Sequence, residues 1–193
     1  MISQSNTKLD SIFRSALELF AENGIDATPT ALIAARAGVA NGTLFHYFKT
    51  KEELIQAIYS ETRKEMLGAA LAGLDETQPL FVTLHGMRDA LFSWSLANQN
   101  AVRFLIQYEA SPVFLRNPVP DQLAGVLDAL IRLGISKGEL GQIPEEVHRK
   151  FIMNYLTAMM RDAVTPTEQN RGEELMEISF ILLQRALRQE KKK

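Results

Sequence analysis

Polar, aromatic and basic side chains are concentrated in one short stretch of the chain, residues 41–51. Asn41 carries an amide that can pair with two hydrogen-bonding atoms of adenine. His46 and Tyr47 can stack on a sugar, contact a thymine methyl group, or hydrogen-bond to a phosphate or base edge. Gly42 has no side chain to hold the backbone away from a groove floor. Together these residue types predict contact with double-stranded DNA.

Charge is unevenly distributed around the same stretch. Residues 28–51 contain three basic residues and no acidic one, although the whole chain has a formal net charge of −2. Such a local positive field attracts phosphate groups. Thr50 and Glu53 have the spacing of a capping box, which places Lys51 at the N-terminus of a helix whose free N–H groups also attract phosphate. We therefore expect Lys51, and with less support Lys49, to contact the DNA backbone.

Three helices are needed to position these side chains. Apolar residues at helical spacing predict a first amphipathic helix that ends at the Asn-Gly pair 23–24. Thr28 followed by Pro29 predicts an N-cap and the first residue of a short second helix. Gly38 ends that helix, and a third covers about residues 40–48. A short glycine-containing turn between two helices is typical of proteins that insert the second helix into the DNA major groove.

The same residues also follow the pattern of a known family. The pattern is carried by FAENG at 20–24, by Thr28, by IAARAGV at 33–39 and by GTLFHYFKTKEEL at 42–54. Over about fifty residues the sequence closely resembles the DNA-binding domain of TetR-family transcriptional regulators. The resemblance implies a three-helix DNA-binding head, a homodimer and a larger helical body that senses a small molecule.

The resemblance places DNA contacts at Tyr47 and Lys51, and Asn41 is the best candidate for base specificity because recognition helices usually aim their first residues at bases. The alternatives are a solvated lysine at position 51, packing of His46 against the head, and simple loop geometry at Gly42. The expected DNA-binding residues are Thr28, Asn41, Gly42, Thr43, Phe45, His46, Tyr47, Lys49 and Lys51.

Three positions depart from the family pattern. Phe45 stands where tyrosine is common, which removes a hydroxyl that could bind phosphate. Ala40 stands where a serine usually caps the recognition helix, and a lost cap costs roughly 0.5–2 kcal/mol. Ala31 leaves the second helix without a long polar side chain. These departures keep open a second hypothesis, a helical small-molecule-binding protein with a degenerate DNA-binding head.

Beyond the head the pattern stays helical. The apolar stripe from Leu80 to Trp94 is too long for a strand and predicts a helix, whereas the prolines in 111–120 predict a loop. The predicted fold is therefore all-α with about nine helices. Residues 1–52 form the helix-turn-helix head, and residues 53–193 form the effector-binding and dimerisation body.

The last two helices, at about 144–164 and 171–190, carry apolar residues on more than one side. The family forms a four-helix bundle from these helices across a two-fold axis, so we expect a homodimer and a pseudo-palindromic operator. The alternative is a deeper core within one monomer.

The body also contains aromatic and methionine side chains that can line a cavity, together with a few polar groups that can orient a ligand. We expect a repressor that an apolar or amphipathic effector releases from its operator, although each of these residues could equally be ordinary core. The expected ligand-binding residues are Trp94, Arg103, Phe104, Gln107, Tyr108, Asn154, Tyr155 and Met159.

Several other function classes are disfavoured. The chain has no cysteine, its three histidines are scattered, and it contains no Gly-rich phosphate loop, HExxH or Gly-x-Ser-x-Gly motif. We therefore expect no enzymatic activity, no cofactor and no metal site. The apolar stretch at 178–183 is far short of the roughly 20 residues that span a bilayer, so we expect no membrane partner and a cytoplasmic location.

Overall fold

The computed structural model describes residues 7–116, 121–165 and 172–188. The regular structure in these ranges is helical, which confirms the predicted all-α class, and one isolated antiparallel bridge joins Leu140 to Arg188. None of the helices in the described part of the chain could cross a membrane. The helices are α1 (Thr7–Asn23), α2 (Thr30–Arg36), α3 (Asn41–Tyr47), α4 (Lys51–Ala72), α5 (Leu80–Ala97), α6 (Gln99–Glu109), α7 (Pro112–Arg116), α8 (Gln122–Ser136), α9 (Glu145–Asp162) and α10 (Gly172–Leu187).

Packing divides the chain into two compact units. The first unit is Met1–Lys64 with Asn100–Pro118, and the second unit is Glu65–Gln99 with Val119–Lys193. Helix α4 contributes its first part to the first unit and its last part to the second. The helix-turn-helix residues thus share a packing unit with most of α6 and with α7, and the functional boundary after residue 52 stays a prediction.

The turn between α2 and α3 is built around Gly38. Its φ of +68° lies in the left-handed region that favours glycine. The Gly38 N–H donates to the Ala35 carbonyl (3.2 Å) and the Val39 N–H donates to the Ala34 carbonyl (3.0 Å). These two bonds form a Schellman motif, which stops α2 and redirects the chain into α3. The predicted glycine break between the two short helices is confirmed.

The first unit has an apolar core in which α1 packs on α2 and α2 packs on α3. The side chains of Ile12, Ile33 and Leu44 are fully buried there. Phe20 of α1 stacks on Phe104 of α6, with ring centroids 5.7 Å apart. Because α1 and α6 share this stack, α6 is part of the hydrophobic support of the three short helices.

In the second unit, α5 packs against α8 and α9, and α9 packs against α8 and α10. Two glycines allow a close backbone approach. A Cβ atom on Gly73, just after α4, would overlap the Gly86 carbonyl of α5, and one on Gly86 would lie 2.6 Å from the Gly73 carbonyl oxygen. Neither position can accept a side chain without moving backbone.

Two sequence predictions about helix boundaries need revision. Residues Pro112–Arg116 form the short helix α7 rather than a loop, because proline is tolerated at the first helical position. The Ser111 hydroxyl accepts from the Phe114 N–H (3.3 Å) at its start. The remainder of the predicted loop, 117–120, lies outside the described residues. Helix α10 begins at Gly172 and ends at Leu187, and positions 171, 189 and 190 of the predicted helix also lie outside them.

Candidate DNA interface and ligand sites

Helix α3 is attached to the first unit mainly by Leu44, which is fully buried. The rest of this seven-residue helix is available to an external partner. A helix held by one apolar residue presents nearly its whole polar side to solvent, as a recognition helix must. The exposed residues of α3 are Asn41, Gly42, Phe45, His46 and Tyr47, with Thr43 half-buried.

The ends of α3 are held without a side-chain cap at the start. Ala40 is the N-cap residue and makes no side-chain hydrogen bond, as its small side chain predicts. At the other end the Phe48 N–H donates to the Leu44 carbonyl (2.9 Å), and the Phe48 ring packs 5.9 Å from the ring of Phe13 in α1. Helix α3 has no serine cap at its start, and the packing of Phe48 on Phe13 holds it in position instead.

Aromatic rings form a row along the C-terminal half of α3. The His46 and Tyr47 rings meet edge to face at 5.9 Å, and the Tyr47 and Phe48 rings are 6.3 Å apart. Tyr47 is 40% exposed and Phe45 is 38% exposed. The Tyr47 hydroxyl makes no hydrogen bond to the described residues, so it can donate to a phosphate. DNA contact by these residues and by Asn41 stays a prediction.

Thr28 does not belong to this surface. Its side chain is fully buried, and its hydroxyl lies 2.7 Å from the Gly24 carbonyl oxygen and 3.2 Å from that of Leu19. Pro29, not Thr28, is the N-cap of α2, and it makes no side-chain bond there. The predictions of a Thr28 cap and a Thr28 contact with DNA are therefore wrong, because the hydroxyl joins the end of α1 to the following loop.

The start of α4 carries the predicted capping box. The Glu53 N–H donates to the Thr50 hydroxyl (3.1 Å), and the Glu53 carboxylate accepts from the Lys49 N–H (2.7 Å), one residue earlier than the usual partner. Lys51 is the first residue of α4, and its Nζ donates to the Asp26 carbonyl (3.0 Å). The ammonium group keeps two further N–H donors. Lys51 is thus placed at a helix N-terminus and fastened to the loop between α1 and α2.

The basic residues of this region are not equally available to a phosphate. Arg36 places one nitrogen 2.8 and 2.9 Å from the two carboxylate oxygens of Glu22 on α1. Lys49 is exposed, and its ammonium meets no carboxylate in the described ranges. The positive charge that can attract DNA therefore comes mainly from Lys49 and Lys51.

A cleft of about 570 Å³ opens within the first unit beside Lys51. Its walls are the loop at 23–27, the first turns of α4, and the segment from Gln107 at the end of α6 to Val113 in α7. Two of the predicted ligand residues, Gln107 and Tyr108, line this cleft. Its volume is in the range of small-molecule sites.

Two other predicted ligand residues of α6 have different surroundings. Phe104 is fully buried between the rings of Phe20 and Tyr108, at centroid distances of 5.7 and 5.9 Å. It does not line the cleft and packs in the core of the first unit, and its predicted ligand role stays a prediction. Arg103 is half-buried and is also absent from the cleft wall.

The remaining four predicted ligand residues belong to the second unit. Met159 is buried, Trp94 is half-buried and Asn154 is exposed. The Tyr155 hydroxyl donates to the Met176 carbonyl of α10 (3.2 Å), and its ring lies 5.9 Å from that of Phe180. Burial raises the pKa of the Tyr155 hydroxyl. Tyr155 therefore joins α9 to α10, and ligand contact by all four stays a prediction.

Sequence reasoning missed a buried arginine in α5. Arg88 is 1% exposed, and its guanidinium donates to the Asp89 carboxylate (2.6 and 2.8 Å) and to Glu177 of α10 (3.0 Å). It also lies 4.8 Å from the Phe180 ring centroid. The available signal was its position four residues after Leu84, inside the apolar stripe of α5.

The Arg88 ion pair also controls the acidity of its partner. Hydrogen bonds from Arg88, and then from His85, lower the pKa of Glu177 to about 2. His85 Nε2 lies 3.0 Å from Glu177, and its Nδ1 lies 3.1 Å from Asp89. Two carboxylates therefore surround the edge of the guanidinium and keep its charge compensated.

Helices α9 and α10 leave an apolar surface exposed. On α10 the buried row is Phe180, Leu183 and Leu187. A second row faces outward, as the two-sided apolar pattern predicts. We call this second row, taken together with the exposed large apolar residue of α9, the outer apolar face; its members are Phe151, Ile178, Ile181 and Leu182, which are 45–58% exposed.

Comparison with known proteins agrees with the helix-turn-helix geometry. The family model described as bacterial regulatory proteins, tetR family, matches residues 12–58, which cover α2, α3 and parts of α1 and α4. The fatty acid metabolism regulator protein of Bacillus subtilis is 28% identical over 143 residues, 72% of this chain and 74% of that protein. The B. subtilis regulator FadR, solved in complex with stearoyl-CoA, has the same fold, with a TM-score of 0.79, 23% identity, and coverage of 90% of this chain and 96% of that one.

A crystal structure of a tetR-family transcription regulator from Shewanella sp. PV-4 gives the stronger relationship. It is 31% identical, has a TM-score of 0.78, and the match covers 93% of this chain and 97% of that one. The resemblance noted in residues 20–54 thus extends over nearly the whole length of a known regulator. The chain belongs to the TetR family of ligand-responsive, DNA-binding transcriptional regulators.

Proposed function

We propose that this regulator is a homodimeric repressor that binds a pseudo-palindromic operator through α3 and is released by an amphipathic effector. One observation carries the DNA-binding part: Leu44 alone of α3 is fully buried, while Asn41, His46 and Tyr47 are exposed. Helices with this disposition read base edges in the major groove. Operator binding also places its site of action in the cytoplasm, with the chromosome.

The outer apolar face supports the dimer. Exposed large apolar side chains on two adjacent helices favour an isologous contact, in which the same surface of a second copy covers them. Asn154 is exposed and follows Phe151 by three residues, so the two lie on the same side of α9. A role for Asn154 at the dimer contact is therefore an alternative to its predicted ligand role. A two-fold axis would present two copies of α3 to two half-sites of an operator.

The relatives support the class of effector. The Bacillus subtilis relative is described as a fatty acid metabolism regulator, and the B. subtilis FadR structure contains stearoyl-CoA, a molecule with a long apolar chain and a polar, anionic head. We place this effector in the second unit, where Trp94, Tyr155 and Met159 supply aromatic and sulfur-containing side chains that suit an acyl chain.

The DNA-binding part is tested with Lys51→Ala and Asn41→Ala. We expect Lys51→Ala to weaken binding to all duplexes about equally and to lower the slope of log K against log salt by about 1, because one phosphate contact is lost. Asn41→Ala should relax the preference at one base pair, at a cost of about 1–3 kcal/mol. Fluorescence anisotropy over a salt series, with a duplex selected from random sequences, measures both effects. A Lys51→Ala variant that changes sequence preference and keeps the salt slope would contradict the assignment.

The effector part is tested with stearoyl-CoA and Tyr155→Ala. We expect stearoyl-CoA to lower operator affinity by the same factor by which operator lowers stearoyl-CoA affinity, since coupling is reciprocal, and typical couplings are about 1–3 kcal/mol. Tyr155→Ala should change this response more than it changes operator affinity without effector. Stearoyl-CoA binding that leaves operator affinity unchanged would refute the sensing part and leave the DNA-binding part intact.

A further inference from the structure

The cleft beside Lys51 is lined by polar side chains that keep unused hydrogen-bond donors. Tyr108 is only 6% exposed, yet its hydroxyl makes no hydrogen bond with the residues that the structure describes. Burial raises the pKa of this hydroxyl, so it stays a neutral donor at physiological pH. Its oxygen is not fully buried, so a water molecule or a ligand in the cleft can reach it and accept its hydrogen bond.

Two further donors converge on the same space. Gln107, half-buried on the cleft wall, makes no side-chain hydrogen bond within the described ranges. Lys51, also half-buried, uses one N–H on the Asp26 carbonyl (3.0 Å) and keeps two others. An ammonium, a hydroxyl and an amide therefore line one cleft, and each can donate to an acceptor group.

The other walls define what accompanies that acceptor. Ile25, Ile55 and Val113 supply an apolar lining on three different segments. Two carboxylates, those of Asp26 and Glu52, also border the cleft, but both residues are exposed and their charges are screened by water. Lys51, Tyr108 and Gln107 are less exposed than these carboxylates, so water screens their interactions less, and all three can donate hydrogen bonds.

We propose that this cleft is a ligand site for a small amphiphile with a carboxylate head. The carboxylate accepts from Lys51, Tyr108 and Gln107, and the apolar tail packs on Ile25, Ile55 and Val113. This site lies in the first unit and is separate from the effector residues Tyr155 and Met159 of the second. Charge-assisted hydrogen bonds to the head supply its selectivity.

Occupancy has a regulatory consequence, which rests on the proposed contact between Lys51 and a DNA phosphate. A carboxylate on Lys51 competes with that phosphate for the same ammonium. The amphiphile therefore weakens DNA binding of every sequence to a similar degree, and it acts at the start of α4 without any signal from the second unit.

Three probes with the same ten-carbon chain test the head group: decanoate, decanol and decyltrimethylammonium, each below its micellar concentration. Isothermal titration of the full-length protein at pH 7.5 should show saturable binding of decanoate, with decanol at least about tenfold weaker because the charge-assisted bonds are lost. The cation should bind most weakly. Tightest binding of the cation would mean that Asp26 and Glu52 dominate and would overturn the proposal, as would equal binding of all three probes.

Variants then locate the site. Tyr108→Phe keeps the ring packing and removes only the hydroxyl, and we expect it to weaken decanoate binding about five- to tenfold. Lys51→Gln should weaken it by about tenfold or more. Lys64→Gln, which changes an exposed lysine at the other end of the first-unit part of α4, is the matched control and should bind decanoate like wild type. Loss of binding in Tyr155→Phe with none in Tyr108→Phe would move the site to the second unit and overturn the proposal.

Measuring DNA affinity in the presence of decanoate distinguishes failure of this proposal from failure of the proposed function. Decanoate should weaken binding of a non-specific 30-base-pair duplex in wild type and have no such effect in Lys51→Gln. If decanoate binds with the expected dependence on Tyr108 but leaves duplex affinity unchanged, the ligand site stands and the proposed contact of Lys51 with phosphate is refuted. If decanoate does not bind, the ligand site is refuted, and duplex binding by Lys51 is judged from its salt slope alone.

Discussion

The two packing units differ in the groups that their proposed contact surfaces present. In the first unit, polar groups remain open: the exposed face of α3, the Lys49 ammonium and the Tyr108 hydroxyl. In the second unit, the buried Arg88 is paired with two carboxylates and the Tyr155 hydroxyl is hydrogen-bonded to the Met176 carbonyl. What the second unit leaves open is the outer apolar face, together with one buried polar atom, His148 Nδ1, that has no partner among the described residues.

The pair Tyr108 and Tyr155 shows this difference at the level of single residues. Burial raises the pKa of both hydroxyls. Of the two hydroxyls, that of Tyr155 has a protein partner, so its cost of burial is offset within the fold. We infer that the first unit is built to meet polar partners and the second to meet an apolar one.

The largest expected effect comes from placing charges on the outer apolar face, which tests whether this face binds a second copy of the chain. We expect wild type to sediment as a dimer at micromolar concentration and the double variant Ile178→Glu and Leu182→Glu to sediment as a monomer of 21.6 kDa. Four carboxylates, two from each copy, would be brought together at an isologous contact, and like charges buried at an interface are strongly unfavourable.

The control for this experiment is Val82→Glu. Val82 is a 54% exposed apolar residue of α5 and does not belong to the outer apolar face. This variant should remain dimeric, and thermal unfolding should show that all three proteins are folded. A wild-type monomer at micromolar concentration would remove the dimer from the proposed function, and the expectation of a pseudo-palindromic operator with it.

A second experiment compares one arginine from each unit. Arg88→Met removes a guanidinium that is nearly inaccessible to water, and we expect the free energy of unfolding to fall by about 1–3 kcal/mol, because its hydrogen bonds to Glu177 of α10 and to Asp89 are lost while the two half-exposed carboxylates remain solvated. Arg36→Met removes an exposed pair with Glu22 and should change little, because water screens that pair. Urea unfolding of both variants provides the measurement. Similar losses in the two variants would show that burial does not distinguish the units.

The parts of this molecule that the sequence predicts well depend on neighbours within a few residues. The Gly38 turn, the uncapped start of α3 and the Thr50–Glu53 box are all local, and each has the predicted form. The prediction for Thr28 fails because it too uses only local neighbours. Thr28-Pro29 has the local pattern of a helix start, but the Thr28 hydroxyl donates to the carbonyls of Gly24 and Leu19, four and nine residues earlier.

The features that the sequence did not reveal are contacts between residues that lie far apart in the chain. Arg88 and Glu177 are 89 residues apart, and Lys51 and Asp26 are 25 apart. Helical periodicity indicates which face of a helix is apolar, but not which other helix covers it. Helix α10 shows this limit. Its more regular apolar row in the sequence is Leu175, Ile178 and Leu182, yet Ile178 and Leu182 are exposed. The buried side chains are instead those of Phe180 and Leu183.

The smallest expected effect concerns the pH dependence of the second unit. The pKa of Glu177 is about 2 in the folded protein, below its ordinary value of 4.5, chiefly because Arg88 donates to its carboxylate. An acid with a lowered folded pKa stabilises the protein above its unfolded pKa, and this stabilisation is lost as the pH falls towards the folded pKa. Stability from Glu177 should therefore be complete above about pH 4.5 and decline between pH 4.5 and 2.

Glu177 is half exposed, so screening by water reduces its contribution to the order of 1 kcal/mol. We expect Glu177→Gln to reduce the difference in unfolding free energy between pH 5 and pH 3 by about this amount, measured by urea titration at both values. Every other carboxylate is common to variant and wild type, so its titration cancels in the comparison. Glu76→Gln, which removes an exposed carboxylate outside this cluster, controls for the change in net charge. An equal pH dependence in Glu177→Gln and wild type would mean that the pair of Arg88 and Glu177 does not stabilise the contact of α10 with α5.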